Sequence, residues 1–313
     1  MSRLFDALQR SGTEQTGVEH PDMMSVATEV FEAPLNPVLA PKAAATPAPE
    51  VAISGPEDAV AETRVQILDE ATRAQFPTLR VSPAPASRLV FLTEPDSLAA
   101  EKFRFLGVRL RQMQRNRPLK KVLVTSTIPQ EGKSLVSANL AGVLAGRKQN
   151  VLLLEGDVRR PVLAQQFGLG RLAGLGEWLR NGGTTLANIY HLAGPGFWLM
   201  PAGTSPDNPL ELLQSGKVSQ LMTQLSALFD WIIVDSPPLL PLADTTVWAR
   251  LTDGALLVTR EGITEKAALQ RGLEILQKSD LLGVVLNGRA DLDTKRYYHR
   301  YYTQKTGTTH SND

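Results

Sequence analysis

Lys133 and Ser134 follow Gly132 in the segment KKVLVTSTIPQEGKSLVSANLAGVL, which runs from Lys120 to Leu144. A lysine and a hydroxyl in tandem after a glycine suit the handling of phosphate. Val122–Val124 is a short apolar run with the pattern of a buried strand. The turn Thr125–Gly132 carries a proline and a glycine, and an amphipathic, helix-like stretch begins at Lys133. Strand, loop, Gly-Lys-Ser and helix in that order form a phosphate cradle. Backbone N–H groups of the loop and of the helix N-terminus point at an anion, the lysine reaches the β- and γ-phosphates, and the serine hydroxyl can bind Mg²⁺. The residues expected to hold a nucleotide are Pro129, Gln130, Glu131, Gly132, Lys133, Ser134 and Leu135. The pattern G-x-x-x-x-G-K-[ST] is met except that Thr127 stands at the first glycine. The plain alternative is a strand–turn–helix connection with an exposed lysine.

Two further strand ends carry acids. In VLLLEGDVRRP, from Val151 to Pro161, an apolar run ends at Glu155 and Asp157. Ligands gather at the carboxyl edge of open α/β sheets. Acids there serve a metal or a proton transfer, and Arg159 and Arg160 are placed to face phosphate. In WIIVDSPP an apolar run delivers Asp235, the Walker B arrangement, in which the carboxylate holds Mg²⁺ directly or through water. Asn287 closes the last apolar run, where it would touch a base edge or simply form a turn. Tyr297, Tyr298, Tyr301 and Tyr302 are four of the chain's five tyrosines, interleaved with basic residues and followed only by polar ones. That pattern favours an exposed tail whose hydroxyls matter over an aromatic stripe packed as a terminal helix.

The elements that must position these groups alternate. Strands are expected at Phe197–Met200, Trp231–Asp235, Ala255–Val258 and Val284–Leu286, and helices after Asp96-Ser97, around Glu177–Leu179, over Asn208–Leu228 and over Thr264–Lys278. RLVFL, from Arg88, reads as a strand or a docking segment. Strands alternating with helices predict an α/β fold, a mostly parallel sheet with helices on both faces. It is preceded by a long N-terminal region of different character. Ten of the 21 prolines lie between residues 12 and 86, among Ala, Thr and Glu. Such a stretch buries too little apolar surface to offset its ordering entropy, and predicts a disordered linker. The expected divisions are residues 1–11, a short docking helix with Leu4, Phe5 and Leu8 on one side; 12–86, the linker; 87–292, the phosphate-binding domain; and 293–313, the tail.

Composition sets the remaining bounds. A formal charge of +1 gives no drive towards nucleic acid. The absence of cysteine excludes disulfides, thiol nucleophiles and cysteine metal sites, and suits a reducing compartment. The four histidines, at 20, 191, 299 and 310, have no metal-ligand spacing. No apolar run approaches the ~20 residues of a membrane span, and the N-terminus lacks the apolar core of a signal peptide. A soluble, cytoplasmic protein is the expectation.

TSTIPQEGKS, LLLEGDVRRP, FDWIIVDSPP and the tyrosine cluster together resemble the bacterial tyrosine kinases (BY-kinases) of capsule and exopolysaccharide synthesis, over residues 86–302. The resemblance implies a P-loop kinase that uses ATP and Mg²⁺ to phosphorylate its own tail, here Tyr297, Tyr298, Tyr301 and Tyr302, between subunits of a homo-oligomer. It implies Lys133 on the ATP phosphates, Ser134, Asp157 and Asp235 at the metal, and Glu155 or Asp157 as acceptor of the tyrosine proton. It also implies a separate transmembrane activator of the chain-length-determinant type, a cognate tyrosine phosphatase, and recruitment to the inner face of the plasma membrane. The family's first Walker A′ acid is normally aspartate and here is Glu155. Its E-x-x-R-x-x-R subunit motif is matched at Glu101 and Arg104, with Gly107 at the second arginine. Two other readings are a nucleotide-binding scaffold of a polysaccharide export complex and a partition-type P-loop ATPase. The latter's second loop lysine is replaced here by Ile128.

Overall fold

The computed structural model describes residues 29–31, 70–146, 148–182, 186–276 and 281–288. The strands in chain order are β1 (Glu29–Phe31), β2 (Thr78–Arg80), β3 (Lys121–Ser126), β4 (Val151–Glu155), β5 (Tyr190–Ala193), β6 (Phe197–Met200), β7 (Trp231–Asp235), β8 (Gly254–Arg260) and β9 (Leu281–Asn287). The helices are α1 (Val90–Thr93), α2 (Leu98–Asn116), α3 (Lys133–Ala145), α4 (Leu163–Gln166), α5 (Leu175–Arg180), α6 (Pro209–Gln214), α7 (Lys217–Leu228), α8 (Asp244–Leu251) and α9 (Lys266–Leu276). Among the described residues these strands form one sheet in the order β1-β9-β8-β3-β7-β4-β6-β5-β2. Every pairing is parallel except β1 with β9 and β5 with β6.

The central strands are apolar without a break because both of their faces are covered. Side chains alternate across a strand. Val122 and Val124 therefore join the core formed with Phe103, Leu106 and Leu110 of α2 and Val136, Leu140 and Leu144 of α3. Leu123, between them, enters the opposite core with Leu221 and Leu225 of α7 and Trp248 of α8. The expected two-faced α/β sheet is present.

Helix α2 starts where its sequence predicts, with the Ser97 hydroxyl accepting from the Ala100 N–H at 3.2 Å. Its buried face packs on α3 through Gly107, where an added Cβ would stand 3.3 Å from Val143 Cγ2. The position of the subunit motif's second arginine thus faces a neighbouring helix in this chain. Glu101 and Arg104 pair with each other one turn earlier.

The proline-rich segment 12–86 contains two strands of the sheet, β1 and β2, and Phe76 is buried. Strand β2 is only three residues long and pairs at the sheet edge with β5, itself missed by the periodicity; composition does not register backbone pairing of that length. Of the two readings of RLVFL, strand or docking segment, the second is present. Its residues make the single turn α1, which docks on α3: the Phe91 N–H donates to Asn139 Oδ1 at 3.3 Å, and the Asn139 amide donates to the Arg88 carbonyl at 3.1 Å. The N-terminal helix 1–11, most of the linker and the tail with its four tyrosines lie outside the described residues.

Candidate active site

The sheet order places three strand ends side by side. β3 leads into the phosphate loop, β7 is its neighbour, and β4 is the neighbour of β7. In register, Asp235 stands level with Val124 on one side and with Glu155 on the other. Beyond Glu155 the chain turns at Gly156, whose N–H donates to the Asp235 carbonyl at 2.8 Å. A Cβ on Gly156 would lie 2.8 Å from the indole of Trp248, so only glycine lets the backbone pass. Gly156→Ala is expected to lower stability by about 1–3 kcal/mol through overpacking, read as a shifted urea midpoint with an unchanged slope.

The loop has two residues in the left-handed region, Gln130 at φ 67° and Gly132 at φ 95°. Gly132 is required twice over, because an added Cβ would also fall 2.1 Å from Asn287 Nδ2. Thr127 is not in that region, which is why a β-branched residue is accepted where the motif has its first glycine.

Lys133 emerges from this loop and reaches both strand-end aspartates. Its ammonium lies 3.0 Å from Asp157 Oδ2 and 3.6 Å from Asp235 Oδ1. It is also 3.3 Å from the Ser134 hydroxyl. Burial by itself would lower the lysine's pKa, but the charges of Asp235 and Asp157, with a hydrogen bond to Asp157, outweigh it and raise it. Asp235 is fully buried, and desolvation raises its pKa against the pull of Lys133 and of hydrogen bonds from Ser134 and Ser137. In this arrangement the two carboxylates occupy the lysine that phosphate oxygens would otherwise engage.

The donor set fits a hard divalent cation. Asp235 Oδ2 is a buried carboxylate oxygen with no hydrogen-bond partner, and the Ser134 hydroxyl stands beside that carboxylate. Both are oxygen donors of the kind Mg²⁺ takes. Among the described residues no group of three or more His, Cys, Asp or Glu side chains is placed for a metal. Phosphate oxygens and water would therefore complete the shell.

Glu155 makes a different set of bonds. It is buried, and both of its oxygens are taken by backbone N–H groups. Oε1 accepts from Val162 at 2.5 Å and Leu163 at 2.7 Å, and Oε2 from Ala202 at 2.9 Å. These bonds tie the start of α4 to the segment after β6, while the carboxylate's charge still acts on Lys133. Burial pushes the Glu155 pKa up from 4.5 to about 7, against the pull of the three donors. The folded chain thus keeps this proton to higher pH than the unfolded one. The linked stability is whole below about pH 4.5 and is lost as pH rises through about 7, a difference of about 3 kcal/mol. Glu155→Gln, which cannot titrate, is expected to flatten that slope in urea titrations at stepped pH.

Asn287 is likewise turned inward. It is 7% exposed, and its amide donates to the Glu131 carbonyl at 2.9 Å. In this chain its contact is with the backbone of the phosphate loop. Arg159 turns to Asp244, with Nε 2.8 Å and Nη2 3.3 Å from its carboxylate. The Arg160 N–H instead donates to Asp157 Oδ1 at 3.2 Å and so orients that acid.

Three participants escaped the sequence reading. Ser137 donates to Asp235 Oδ1 at 3.4 Å; its place three residues after Ser134, on the same helix face, was the available signal. Asp244 and Thr264 had none, since each meets its partner only through the fold. A cleft of about 570 Å³ opens above these groups, lined by Pro129, Lys133, Asp157, Arg160, Pro238 and Leu242 among others.

No family model matches the chain. It is 34% identical over 203 residues to the tyrosine-protein kinase YwqD of Bacillus subtilis strain 168, an alignment covering 64% of this chain and 86% of that one. Identity to the putative tyrosine-protein kinase CapB of Staphylococcus aureus is 30% over 211 residues, covering 67% and 92%. Among solved structures, the kinase domain of the Escherichia coli tyrosine kinase ETK matches with a TM-score of 0.63 at 28% identity, over 75% of this chain and 87% of that domain. With identity of that level running through nearly the whole of YwqD and CapB, and the sheet shared with ETK, the chain belongs to the bacterial tyrosine-protein kinases, of P-loop NTPase fold.

Proposed function

We propose that the chain is an ATP- and Mg²⁺-dependent protein-tyrosine autokinase whose substrate is its own cluster Tyr297, Tyr298, Tyr301 and Tyr302, presented by one subunit of a homo-oligomer to the next. The observation that carries this reading is Lys133 held between Asp157 and Asp235 at the mouth of the cleft. A triphosphate entering the loop takes over the lysine's charge and frees Asp157 Oδ2. That oxygen then accepts the proton of a tyrosine O–H, which attacks the γ-phosphorus as the bond to the β–γ bridging oxygen breaks and ADP leaves. The Arg160 N–H keeps Asp157 aimed. Lys133 neutralises charge on the transferring group in a site where only 12% of its side chain is exposed, so its field is weakly screened. Ser134 and Asp235 would hold the magnesium ion, which supplies further neutralisation of the β- and γ-oxygens when bound.

The reading extends to context. Among the described residues no helix is long and apolar enough to cross a membrane. In this reading a separate transmembrane activator of the chain-length-determinant type recruits the kinase to the cytoplasmic face of the membrane. There its phosphorylation state, reset by a cognate phosphatase, regulates polymerisation and export of capsule or exopolysaccharide. The test is phosphotyrosine mapping of the purified chain after incubation with ATP and Mg²⁺, beside a Tyr297/Tyr298/Tyr301/Tyr302→Phe variant. Label on those four tyrosines, lost in the variant and on chelation, is the expected result. Free phosphate without protein-bound label would instead make it an ATPase.

A further inference from the structure

Glu131 lies inside the phosphate loop, next to Gly132, and its side chain is fully buried. A carboxylate there is costly twice: it is desolvated, and it adds negative charge where the loop must accept a polyphosphate. Packing alone would be served by an apolar residue. The structure shows what the carboxylate does. Oε2 accepts from the Ile128 N–H at 2.8 Å, across the loop's own turn. Oε1 accepts from the Thr264 hydroxyl, which lies in the turn between β8 and α9. The same hydroxyl accepts from the Arg260 N–H at 2.9 Å, so Arg260 donates to Thr264 and Thr264 to Glu131, on whose carboxylate the Ile128 N–H converges from the loop. Two more bonds run from the same strand ends to the loop backbone: Arg260 Nη1 to the Gln130 carbonyl at 3.2 Å and Asn287 Nδ2 to the Glu131 carbonyl at 2.9 Å. Because Pro129 has no N–H and that of Ile128 is committed to Glu131, the cradle's free amides begin at Gln130.

We propose that Glu131 is a positioning residue for nucleotide binding, which braces the phosphate loop against the β8–α9 turn through Thr264 and holds it open around Lys133. It touches no phosphate itself. Its effect reaches the nucleotide through the loop's shape, and the Thr264 hydroxyl is the second half of the brace. This rests on the reading that the loop binds nucleotide.

The test is calorimetric titration of the full chain with Mg·ADP. Thr264→Val, which keeps the shape and removes the hydroxyl, is expected to weaken binding about fivefold, and Thr264→Ser, which restores it, to stay within about twofold of the original chain. Glu131→Gln is expected to weaken binding about tenfold, because an amide has a single accepting oxygen and its NH2 cannot take the second of the two donors. The double variant Glu131→Gln/Thr264→Val should bind no more weakly than Glu131→Gln alone, since both changes break one brace. In kinase assays the loss should appear in the KM for ATP, with kcat at saturating ATP changed less than about twofold. Original-like affinity in Thr264→Val, equal loss in Thr264→Ser, or additive losses in the double variant would overturn the brace while leaving the nucleotide site intact. If Glu131→Gln fails to fold, the Thr264 pair decides alone. An original chain that binds no ADP overturns the nucleotide site and the brace with it.

Discussion

Lys133→Met is expected to reduce autophosphorylation by about a thousandfold, measured as the initial rate of phosphotyrosine formation at saturating ATP. Removing one well-aimed charge or donor from a desolvated site costs about 10²–10³ in rate, and Lys133 is the nearest cation to both strand-end acids. The same substitution leaves Asp157 and Asp235 buried without the lysine that pairs with both. Breaking a buried pair in that way costs about 3–5 kcal/mol, so a lowered melting temperature is expected as well. Because desolvation already raises the pKa of Asp235, it takes up a proton more readily once the lysine is gone. The stability loss should therefore shrink as pH falls. Residual activity within about tenfold of the original chain, in a folded variant, would show that another cation carries the phosphoryl charge.

The second large effect separates two neighbouring acids that look equivalent in the sequence. Asp157→Asn is expected to lower kcat by about 10²–10⁴, the usual worth of a general base, with ADP affinity changed only a few-fold. Glu155→Gln should lower kcat less than about tenfold, its main effect being the altered pH dependence of stability. The reason is geometric. Asp157 Oδ2 faces Lys133 at 3.0 Å, whereas both Glu155 oxygens are spent on Val162, Leu163 and Ala202. Single-turnover rates of the two variants, with circular dichroism to establish folding, decide the matter. Equal losses in both would return Glu155 to the reaction.

Much of the architecture was legible because its signals are local. The apolar runs of β3, β4 and β7 announce strands covered on both faces, and Ser97 announces the start of α2. Gly132-Lys133-Ser134 announces an anion site wherever a strand precedes it and a helix follows. Elements held by single backbone ladders at the sheet edge left no such trace. β2 and β5 are three and four residues long, and neither shows enough alternation to stand above its surroundings. RLVFL was ambiguous for the opposite reason, since an unbroken apolar run fits a strand and a buried helical turn equally well.

Residue types and spacing alone determined that this chain carries a phosphate loop, two further acid-tipped strands and a tyrosine-rich end, because each is written in consecutive residues. Sheet order decided the rest. Only with β7 between β3 and β4 does Asp235 come beside Lys133, and only with Trp248 packed on Gly156 does Asp157 turn in while Glu155 is drawn away to cap α4. Side-chain direction depends on contacts between residues tens of positions apart, and no local pattern encodes which of two acids, two residues from each other, will meet the lysine.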